Sequence, residues 1–298
     1  MNVAVVGAGS WGAAFAGVME GRGHEVTLAG RDASERPEVA TADLVCVAVP
    51  SRAFREVTAS LRGSAPVIIL TKGLDPETGK RLSQVVEGRE ALALSGPNHA
   101  EEIAQGLPAA AVLASTNEEL ATELQHEIHS VRFRLYVNTD LVGVELCAAA
   151  KNVIALAAGA VDGLEAGDNG KAALITRGLA ELTRLACAAG GRRETLAGLS
   201  GLGDLVLTCT GNLSRNRHVG LELARGRALT DILASMKMVA EGVRTTGAAL
   251  ELGTKYGVEL PIATQMSEVL SGRSDVRTAI SALMLRKQRA ESETSTAG

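Results

Sequence analysis

The sequence predicts an α/β fold in which a parallel sheet is followed by an all-helical C-terminal domain. Up to residue 139, short and continuously apolar runs alternate with helix-like stretches. This is the pattern of parallel strands that helices cover on both faces. From residue 140 onward, apolar positions recur at helical spacing. We therefore expect a sheet domain at 1–139, a helical domain at 140–288, and a polar, disordered tail at 289–298.

The composition is that of an ordinary globular protein, with 46% hydrophobic and 21% charged residues. Aromatic residues make up only 2%, so the cores must be built from small and aliphatic side chains. The net charge is −4 and no basic stripe with interleaved aromatics occurs, which argues against a nucleic-acid-binding surface. Four cysteines without close pairing indicate a reducing compartment, the cytoplasm. The five histidines form no set of metal ligands.

Two features of the sequence bear on targeting. The first strand begins at residue 2, which leaves no room for a cleaved signal sequence. The stretch 144–161 is apolar enough to suggest a membrane span, but Glu145, Lys151 and Asn152 interrupt it. We expect a buried helix there and no membrane span.

The apolar runs and helical periodicities define the expected elements. Strands are expected at 2–6, 25–29, 43–48, 66–70, 91–95, 109–113 and 132–137. Helices between them are expected at 10–22, 51–61, 79–87, 100–105 and 117–130. Further helices are expected at 141–164, 171–189, 217–225, 229–235, 242–256, 261–271 and 275–286. The last strands of the sheet are the ones that could depart from parallel pairing.

The first strand runs into a glycine-rich turn, Gly7-Ala8-Gly9-Ser10-Trp11-Gly12, and a helix follows. In a dinucleotide-binding loop of this spacing, one glycine makes the turn, one lets the backbone approach a pyrophosphate, and one lets helix and strand pack closely. The helix N-terminus then favours the negative charge of the pyrophosphate. The strand before and the helix after favour a Rossmann-type site over the alternative, a tight turn without a ligand.

Three more loops should face the cofactor, because ligands of an open parallel sheet bind beyond the carboxyl ends of the strands. They are Val49-Pro50-Ser51, Thr71-Lys72-Gly73 and Ser95-Gly96-Pro97-Asn98. Lys72 is the only charge in its loop and follows a wholly apolar strand, so it would project toward a ligand beside the nicotinamide. The alternative is an ordinary surface lysine.

Lys151 lies in the middle of an apolar helix face. Its neighbours three, four and seven residues away are Val144, Cys147, Ile154, Ala155 and Ala158. Such a lysine either extends to solvent or is held in a pocket. In a pocket, burial disfavours the charged amine and suits it to proton transfer. Asn152 beside it can hydrogen-bond a substrate hydroxyl or carbonyl.

Two later segments carry charges in polar turns. In the glycine-rich run Leu199–Leu205, Asp204 could cap a helix or orient Lys151. Ser214-Arg215-Asn216-Arg217 places two guanidinium groups and an amide together, which suits a phosphate because arginine matches its geometry. The alternative for this second segment is a solvated basic turn.

A set of motifs extends through nearly the whole chain, except residues 31–43 and the tail. The set comprises Gly7–Gly12, Thr71-Lys72-Gly73-Leu74, Ser95-Gly96-Pro97, Glu145 to Asn152, Gly159 to Leu182, Gly201–Cys209, Leu213-Ser214-Arg215-Asn216-Arg217 and Glu241-Gly242. Together these motifs resemble the bacterial-type NAD(P)-dependent sn-glycerol-3-phosphate dehydrogenases. The resemblance implies a cytoplasmic homodimer that reversibly reduces dihydroxyacetone phosphate to sn-glycerol 3-phosphate and so supplies glycerophospholipid synthesis.

The resemblance also implies a role for individual residues, and it implies no metal. Lys151 is implied as the general acid and base, and Asp204 as a second catalytic residue. The implied cofactor-binding residues are Gly7, Gly9, Ser10, Trp11, Gly12, Lys72, Ala100, Arg215 and Glu241. Arg31 is added to them because of its position directly after the second strand. The implied substrate-binding residues are Lys72, Gly96, Asn98, Lys151, Asn152, Asp204, Thr208, Ser214, Arg215 and Asn216.

The chain departs from the family pattern at residues 30–42, where the family has a helix, a long loop and an edge strand. We therefore expect a shortened sheet that lacks one edge strand and helix, with the adenosine end of the cofactor more exposed. Arg31 follows the second strand and favours the 2′-phosphate of NADP(H), with NAD(H) as the alternative. Asp32 either caps the short connection or blurs this preference between the two cofactors. Smaller departures are Asn98 for a serine, with His99 beside it, and Ala150 for a leucine.

Two other functions remain open from the sequence. The same scaffold hosts reductases of other small phosphorylated or carboxylated ketones. The shortened segment is also compatible with an NADP-binding sensor that has lost its activity.

Overall fold

The computed structural model describes residues 1–236 and 240–287. Its N-terminal part is built around one seven-stranded sheet. The strands are β1 (Asn2–Val6), β2 (Glu25–Ala29), β3 (Leu44–Val47), β4 (Val67–Ile69), β5 (Ala91–Ser95), β6 (Ala109–Ala114) and β7 (Phe133–Asn138). Their order in the sheet is β2-β1-β3-β4-β5-β6-β7. The predicted fold class, a Rossmann-type sheet followed by helices, is confirmed.

The strands from β1 to β5 pair in parallel, which brings their carboxyl ends to one edge of the sheet. β6 runs antiparallel to β5, with Leu113 opposite Leu94, and β7 is parallel to β6. The expected departure from parallel pairing is therefore found in the last strands. All four residues of β3 are buried, because helices cover both faces of the sheet.

Five helices accompany this sheet. They are α1 (Ser10–Glu20), α2 (Pro37–Ala40), α3 (Ser51–Ser60), α4 (Ala100–Ala104) and α5 (Glu118–Ile128). On one face, Phe15 of α1 packs edge-on against Phe133 of β7. On the other, Phe54 of α3 packs over Val45 and Val47. Successive strand residues thus enter opposite cores, as a two-residue period requires.

The connection between β2 and β3 is as short as predicted. It consists of a 3₁₀ turn (Ala33–Glu35) and the one-turn helix α2, and β2 is the edge strand of the sheet. Ala33 and Val39 are buried and anchor the connection to the sheet. The missing edge strand and helix are therefore a feature of this fold.

The described residues from 141 onward are mostly helical. Its helices are α6 (Leu141–Gly163), α7 (Gly167–Ala188), α8 (Arg193–Leu196), α9 (Asp204–Thr210), α10 (Arg215–Ala224), α11 (Leu229–Ser235), α12 (Glu241–Tyr256), α13 (Pro261–Leu270) and α14 (Val276–Met284). The predicted disordered tail at 289–298 lies outside the described residues.

Two expectations about helices are corrected. The helix expected at 79–87 is only a 3₁₀ turn (Leu82–Val85), because Arg81 and Ser83 turn toward α6 and bond Glu145. Helix α9 was not predicted, since a π-helical turn (Leu199–Gly203) leads into it and its own periodic stretch is short. Both segments place side chains near the carboxyl edge of the sheet.

α6 is the central helix of the second part. It is long and apolar enough to cross a membrane, but 94% of its apolar window is buried inside the protein, so it is a core helix. Its small residues let α10 approach closely. A side chain at Gly159 would overlap the carbonyl oxygen of Arg217, and one at Gly220 would overlap that of Leu156.

Candidate active site

The three glycines of the loop after β1 occupy three different environments. Gly7 has φ 114°, which other residues rarely adopt, and a Cβ there would lie 2.6 Å from the carbonyl oxygen of Ala48. A side chain at Gly12 would overlap the carbonyl oxygen of Gly7, so only glycine lets α1 begin this close to the turn. Gly9 faces open space, with no atom within 4 Å of a Cβ position. These are the environments expected of a turn, a close packing contact and a point of ligand approach.

The start of α1 is open to an anion. The helix begins after Gly9 without a side-chain cap and has no acidic residue in its first turn. Its first N–H groups therefore have no partner within the helix, and the helix dipole favours negative charge there. Ser10 is exposed. Trp11 is partly buried and donates its indole N–H to the carbonyl oxygen of Leu70 at 3.2 Å.

At the carboxyl edge of the sheet, Lys72 and Lys151 bind one carboxylate, that of Asp204. Lys72, in the loop after β4, donates its Nζ to Asp204 Oδ2 at 2.9 Å. Lys151, on α6, forms an ion pair with Asp204 Oδ1 and donates to Thr208 Oγ1 at 2.8 Å. Asp204 and Thr208 face the lysines together because they are one turn apart on α9. The folded chain thus gathers four of the predicted site residues.

Lys72 also joins this cluster to the loop after β5. Its Nζ donates to Asn98 Oδ1 at 2.6 Å and to the carbonyl oxygen of Gly96 at 3.1 Å. Ser95 Oγ lies 3.4 Å from Asp204 Oδ2. Two of the three loops that were expected to face the cofactor therefore meet at one ammonium group.

Burial controls the charges of this cluster. It lowers the pKa of Lys72 to about 8; the carboxylate of Asp204 opposes this shift, and the ammonium group of Lys151 adds to it. Burial alone would raise the pKa of Asp204, but Lys151 and Lys72 outweigh that effect and hold it below its ordinary value. Asp204 is therefore a carboxylate at neutral pH, and Lys72 begins to lose its proton slightly above neutrality.

Three buried polar atoms have no hydrogen-bond partner among the described residues. They are Asn98 Nδ2, His99 Nε2 and Ser200 Oγ. Such atoms are rare in folded proteins and often mark places where a ligand or water binds. Asn98 bonds Lys72, and Ser200 lies in the π-helical turn that leads into Asp204. Sequence reasoning gave no site role to His99 or Ser200, although both lie in segments that it singled out.

A second group of predicted residues lies at the start of α10. Ser214 is the N-cap and accepts from the backbone N–H of Arg217 at 3.3 Å. The side chain of Asn216 is engaged at both ends, since Nδ2 donates to Asn152 Oδ1 and Oδ1 accepts from the N–H of Gly242, both at 2.9 Å. Asn216 can therefore offer a ligand its backbone N–H and the second hydrogen of Nδ2.

The two arginines of this segment differ in availability. Arg217 is held by Asp162, with Nε 2.6 Å from Oδ2, and by Asn212. Arg215 is exposed and forms no hydrogen bond or ion pair with any described residue. Of the two guanidinium groups, that of Arg215 is the one able to bind an incoming anion.

At the other end of the candidate cofactor site, the shortened connection is held by its own charges. Asp32 Oδ1 accepts from the N–H of Gly30 at 3.2 Å, and Oδ2 accepts from Arg36 Nε at 2.7 Å. Arg36 is the main cause of a lowered pKa of Asp32. Both carboxylate oxygens are used inside the connection, so Asp32 stays local, one of the two alternatives left open. Arg31 is exposed and has no such partner among the described residues.

The remaining predicted cofactor residues flank the carboxyl edge. Ala100 is buried at the start of α4, which packs against α1. Glu241, the first residue of α12, accepts from the N–H of Ser51 at 3.3 Å and from its Oγ at 2.7 Å. Arg31 is separated from Lys72 by the width of three strand spacings, about 14 Å. An extended ligand would therefore be needed to reach from one to the other.

The family model of the NAD-dependent glycerol-3-phosphate dehydrogenase C-terminus matches residues 140–281. That of the N-terminus matches in two pieces, residues 2–41 and 33–121, and they meet at the shortened connection. The chain is similar to the glycerol-3-phosphate dehydrogenase [NAD(P)+] of Koribacter versatilis, with 45% identity over 335 aligned positions that cover 97% of this chain and 98% of the relative. The aligned length exceeds the 298 residues of this chain because the relative carries residues that this chain lacks.

The chain is also similar to two further glycerol-3-phosphate dehydrogenases. The glycerol-3-phosphate dehydrogenase [NAD(P)+] of Desulfitobacterium hafniense is 42% identical, with 98% of this chain and 93% of the relative covered. The crystal structure of glycerol-3-phosphate dehydrogenase from Coxiella burnetii superposes with a TM-score of 0.89 at 36% identity, covering 95% of this chain and 98% of that one. The chain belongs to the NAD-dependent glycerol-3-phosphate dehydrogenase family.

Proposed function

We propose that this protein reduces dihydroxyacetone phosphate to sn-glycerol 3-phosphate, reversibly, and so supplies glycerophospholipid synthesis. The observation that carries the proposal is the cluster in which Lys72 and Lys151 bind Asp204. Lys72 follows β4 at the sheet edge where the glycine loop follows β1. Asn152, next to Lys151, bonds Asn216 at the start of α10. The names of the relatives support the same reaction.

The residues of the glycine loop fit NADP(H) or NAD(H). The open approach at Gly9 and the uncapped start of α1 suit a pyrophosphate. The cofactor, when bound, supplies the hydride that reduces the substrate carbonyl. Gly7, Gly12, Ser10 and Trp11 would hold it at this edge, with Ala100 and Glu241 at its borders.

Lys151 is the proposed general acid. As hydride reaches the carbonyl carbon, the carbonyl oxygen gains negative charge and takes a proton from Lys151 Nζ. Asp204 and Thr208 orient that ammonium group through the contacts described above. Lys72 holds the substrate oxygens beside it, and in the reverse direction Lys151 accepts the proton.

The substrate phosphate is proposed to bind at the start of α10. The first N–H groups of that helix favour an anion, and Arg215 can add a charge-assisted pair of hydrogen bonds. Asn216 joins this anion site to Asn152, the neighbour of Lys151 on α6. The phosphate and the carbonyl of one small molecule would therefore be held by parts that contact each other. Gly96 and Asn98 complete the substrate side through Lys72.

Arg215→Ala tests the phosphate assignment. We expect the KM for dihydroxyacetone phosphate to rise about tenfold to a hundredfold, the loss of a charge-assisted hydrogen bond. The slow turnover of unphosphorylated dihydroxyacetone should not change. Steady-state kinetics with both ketones measures this. Arg225→Ala, at the far end of the same helix, is the matched control. An unchanged KM for the phosphorylated ketone would contradict the assignment.

Arg31 is proposed to favour NADP(H) over NAD(H), because Asp32 is engaged within its own loop and leaves the 2′-phosphate unopposed. We expect Arg31→Ala to raise the KM for NADPH about tenfold and to leave that for NADH unchanged. Initial rates with each cofactor measure the ratio. Arg22→Ala is the control, because Arg22 follows the C-terminal end of α1, away from the glycine loop. An equal rise for both cofactors would show that Arg31 does not read the 2′ position.

One assay separates the reaction from its two rivals. The purified protein is mixed with NADPH or NADH, and the absorbance of the reduced nicotinamide is followed with dihydroxyacetone phosphate and with 2-oxo acids. Oxidation that depends on dihydroxyacetone phosphate supports the proposal. Faster oxidation with a 2-oxo acid would favour a reductase of another ketone, and binding without oxidation would favour a sensor.

The proposal also includes three expectations, on domain division, oligomeric state and location in the cell. The division into domains at 1–139 and 140–288 stays a prediction, as do the homodimer and the cytoplasmic location. All four cysteines are free in the structure, which supports a reducing compartment. Sedimentation of the purified protein tests the homodimer.

A further inference from the structure

Asp162, in the last turn of α6, ties three helices together with one carboxylate. Its Oδ2 accepts from Arg217 Nε of α10 at 2.6 Å, and its Oδ1 pairs with Lys171 Nζ of α7. The carboxylate is 13% exposed, and its two cationic partners are about one-fifth exposed. A partly desolvated charge cluster of this kind is worth more than a surface pair. None of the motif roles described above uses it.

Arg217 passes this restraint on to the segment that precedes α10. Its Nη1 donates to Asn212 Oδ1 at 3.2 Å, and its backbone N–H donates to Ser214 Oγ at 3.3 Å. The same residue therefore holds both the turn and the N-cap of the helix. Arg215 lies within this segment and remains without a partner among the described residues.

Helix α6 carries the proposed proton donor as well as Asp162. It carries Lys151 and Asn152, which lie about three turns, roughly 16 Å, from Asp162 along the helix axis. The first turn of α10 is thus attached to two separate points on α6, through Asn216 to Asn152 and through Arg217 to Asp162. Between these points the backbone of α10 lies against Gly159, so the two helices cannot slide without overlap.

We propose that Asp162 is a positioning residue that selects for the substrate phosphate. Through Arg217 it holds the 212–216 segment, and with it Arg215, at a fixed separation from the proton donor Lys151. It also engages Arg217, so that a single guanidinium faces the anion. This inference rests on the proposed function, because it takes the start of α10 as the phosphate site.

The test compares Asp162→Asn with Asp162→Glu and with Glu222→Gln. For Asp162→Asn we expect the KM for dihydroxyacetone phosphate to rise about tenfold with kcat within about twofold, since misplacement of a binding group weakens binding before chemistry. The preference for the phosphorylated over the unphosphorylated ketone should fall by about the same factor. The KM for NADPH should change by less than the KM for the ketone, because Arg215 is also among the implied cofactor-binding residues. Asp162→Glu keeps the carboxylate and should recover part of the preference.

Glu222→Gln is the matched control, because Glu222 binds Arg225 and Arg227 at the far end of α10. It should lower the melting temperature by no more than Asp162→Asn does and leave the substrate preference intact. A preference that survives in Asp162→Asn would overturn the proposal and leave Asp162 a purely structural residue. If Asp162→Asn does not fold, Asn212→Ala decides, because it removes the other partner of Arg217 on an exposed turn. An unchanged preference in that variant also overturns it.

The Arg215→Ala variant separates this inference from the proposed function. If Arg215→Ala loses the phosphate preference and Asp162→Asn keeps it, the inference alone fails. If neither variant changes the preference, the phosphate is bound elsewhere and the assignment to α10 fails.

Discussion

Lys151→Ala is expected to lower turnover of dihydroxyacetone phosphate about a thousandfold, within the range that a positioned acid contributes. Lys151 is 3% exposed, and its Nζ pairs with Asp204 and donates to Thr208. A water that entered the space left by the side chain would be a much weaker acid than the ammonium group. Asp204 keeps Lys72 as its partner, so the site should still fold around a paired carboxylate.

Two measurements isolate this effect. Single-turnover oxidation of bound NADPH reports the chemical step, and titration of cofactor fluorescence reports binding, which should stay close to that of the wild type. Lys80→Ala, an exposed lysine in the segment after β4, is the control. Near-normal turnover in Lys151→Ala would remove Lys151 from the role of general acid.

Asp204→Asn is expected to have the second largest effect, on both activity and stability. The substitution leaves the buried ammonium group of Lys151 and the partly buried one of Lys72 without the carboxylate that binds both. Breaking a buried ion pair in this way typically costs about 3–5 kcal/mol. We also expect turnover to fall about a hundredfold, because Lys151 loses the group that orients it.

The pH dependence of the same variant tests the electrostatic argument. In the wild type, the pKa of Lys72 is about 8 and the charge of Asp204 raises it. The KM for the substrate should therefore rise above pH 8 as Lys72 loses its proton. Without the carboxylate that pKa falls further, so in Asp204→Asn the rise should begin at a lower pH. Glu181→Gln removes another buried carboxylate, one that caps α13, and should leave the profile unchanged.

Asp204 itself should make the free energy of unfolding decrease toward low pH. Its folded pKa lies below the ordinary value, so the ion pairs stabilise the protein above the unfolded carboxyl pKa. That contribution is lost as the pH falls through the folded pKa. Acid unfolding of Asp204→Asn should accordingly be less steep than that of the wild type. Equal steepness would mean that Asp204 is not linked to folding.

Much of the fold could be read from local patterns. β1 and β2 match their predicted bounds because each is a short apolar or alternating run next to a clear turn. The shortened connection was visible because thirteen residues with a proline cannot hold a long helix and a strand. The helix expected at 79–87 was wrong because tertiary bonds to Glu145 override a weak local preference for helix.

By itself, the sequence determined the sheet, the glycine loop and the residue types of the site, since these depend on neighbours along the chain. Only the tertiary structure decided how Asp204 is used, because it meets Lys72 across 132 positions through a helix that no local periodicity predicted. It also decided that the amide of Asn216 is engaged, that Arg217 is bound by Asp162, and that Asp32 stays within its own loop. Side-chain partners depend on which helices cross, and here that depends on close contacts such as Gly159 against Arg217.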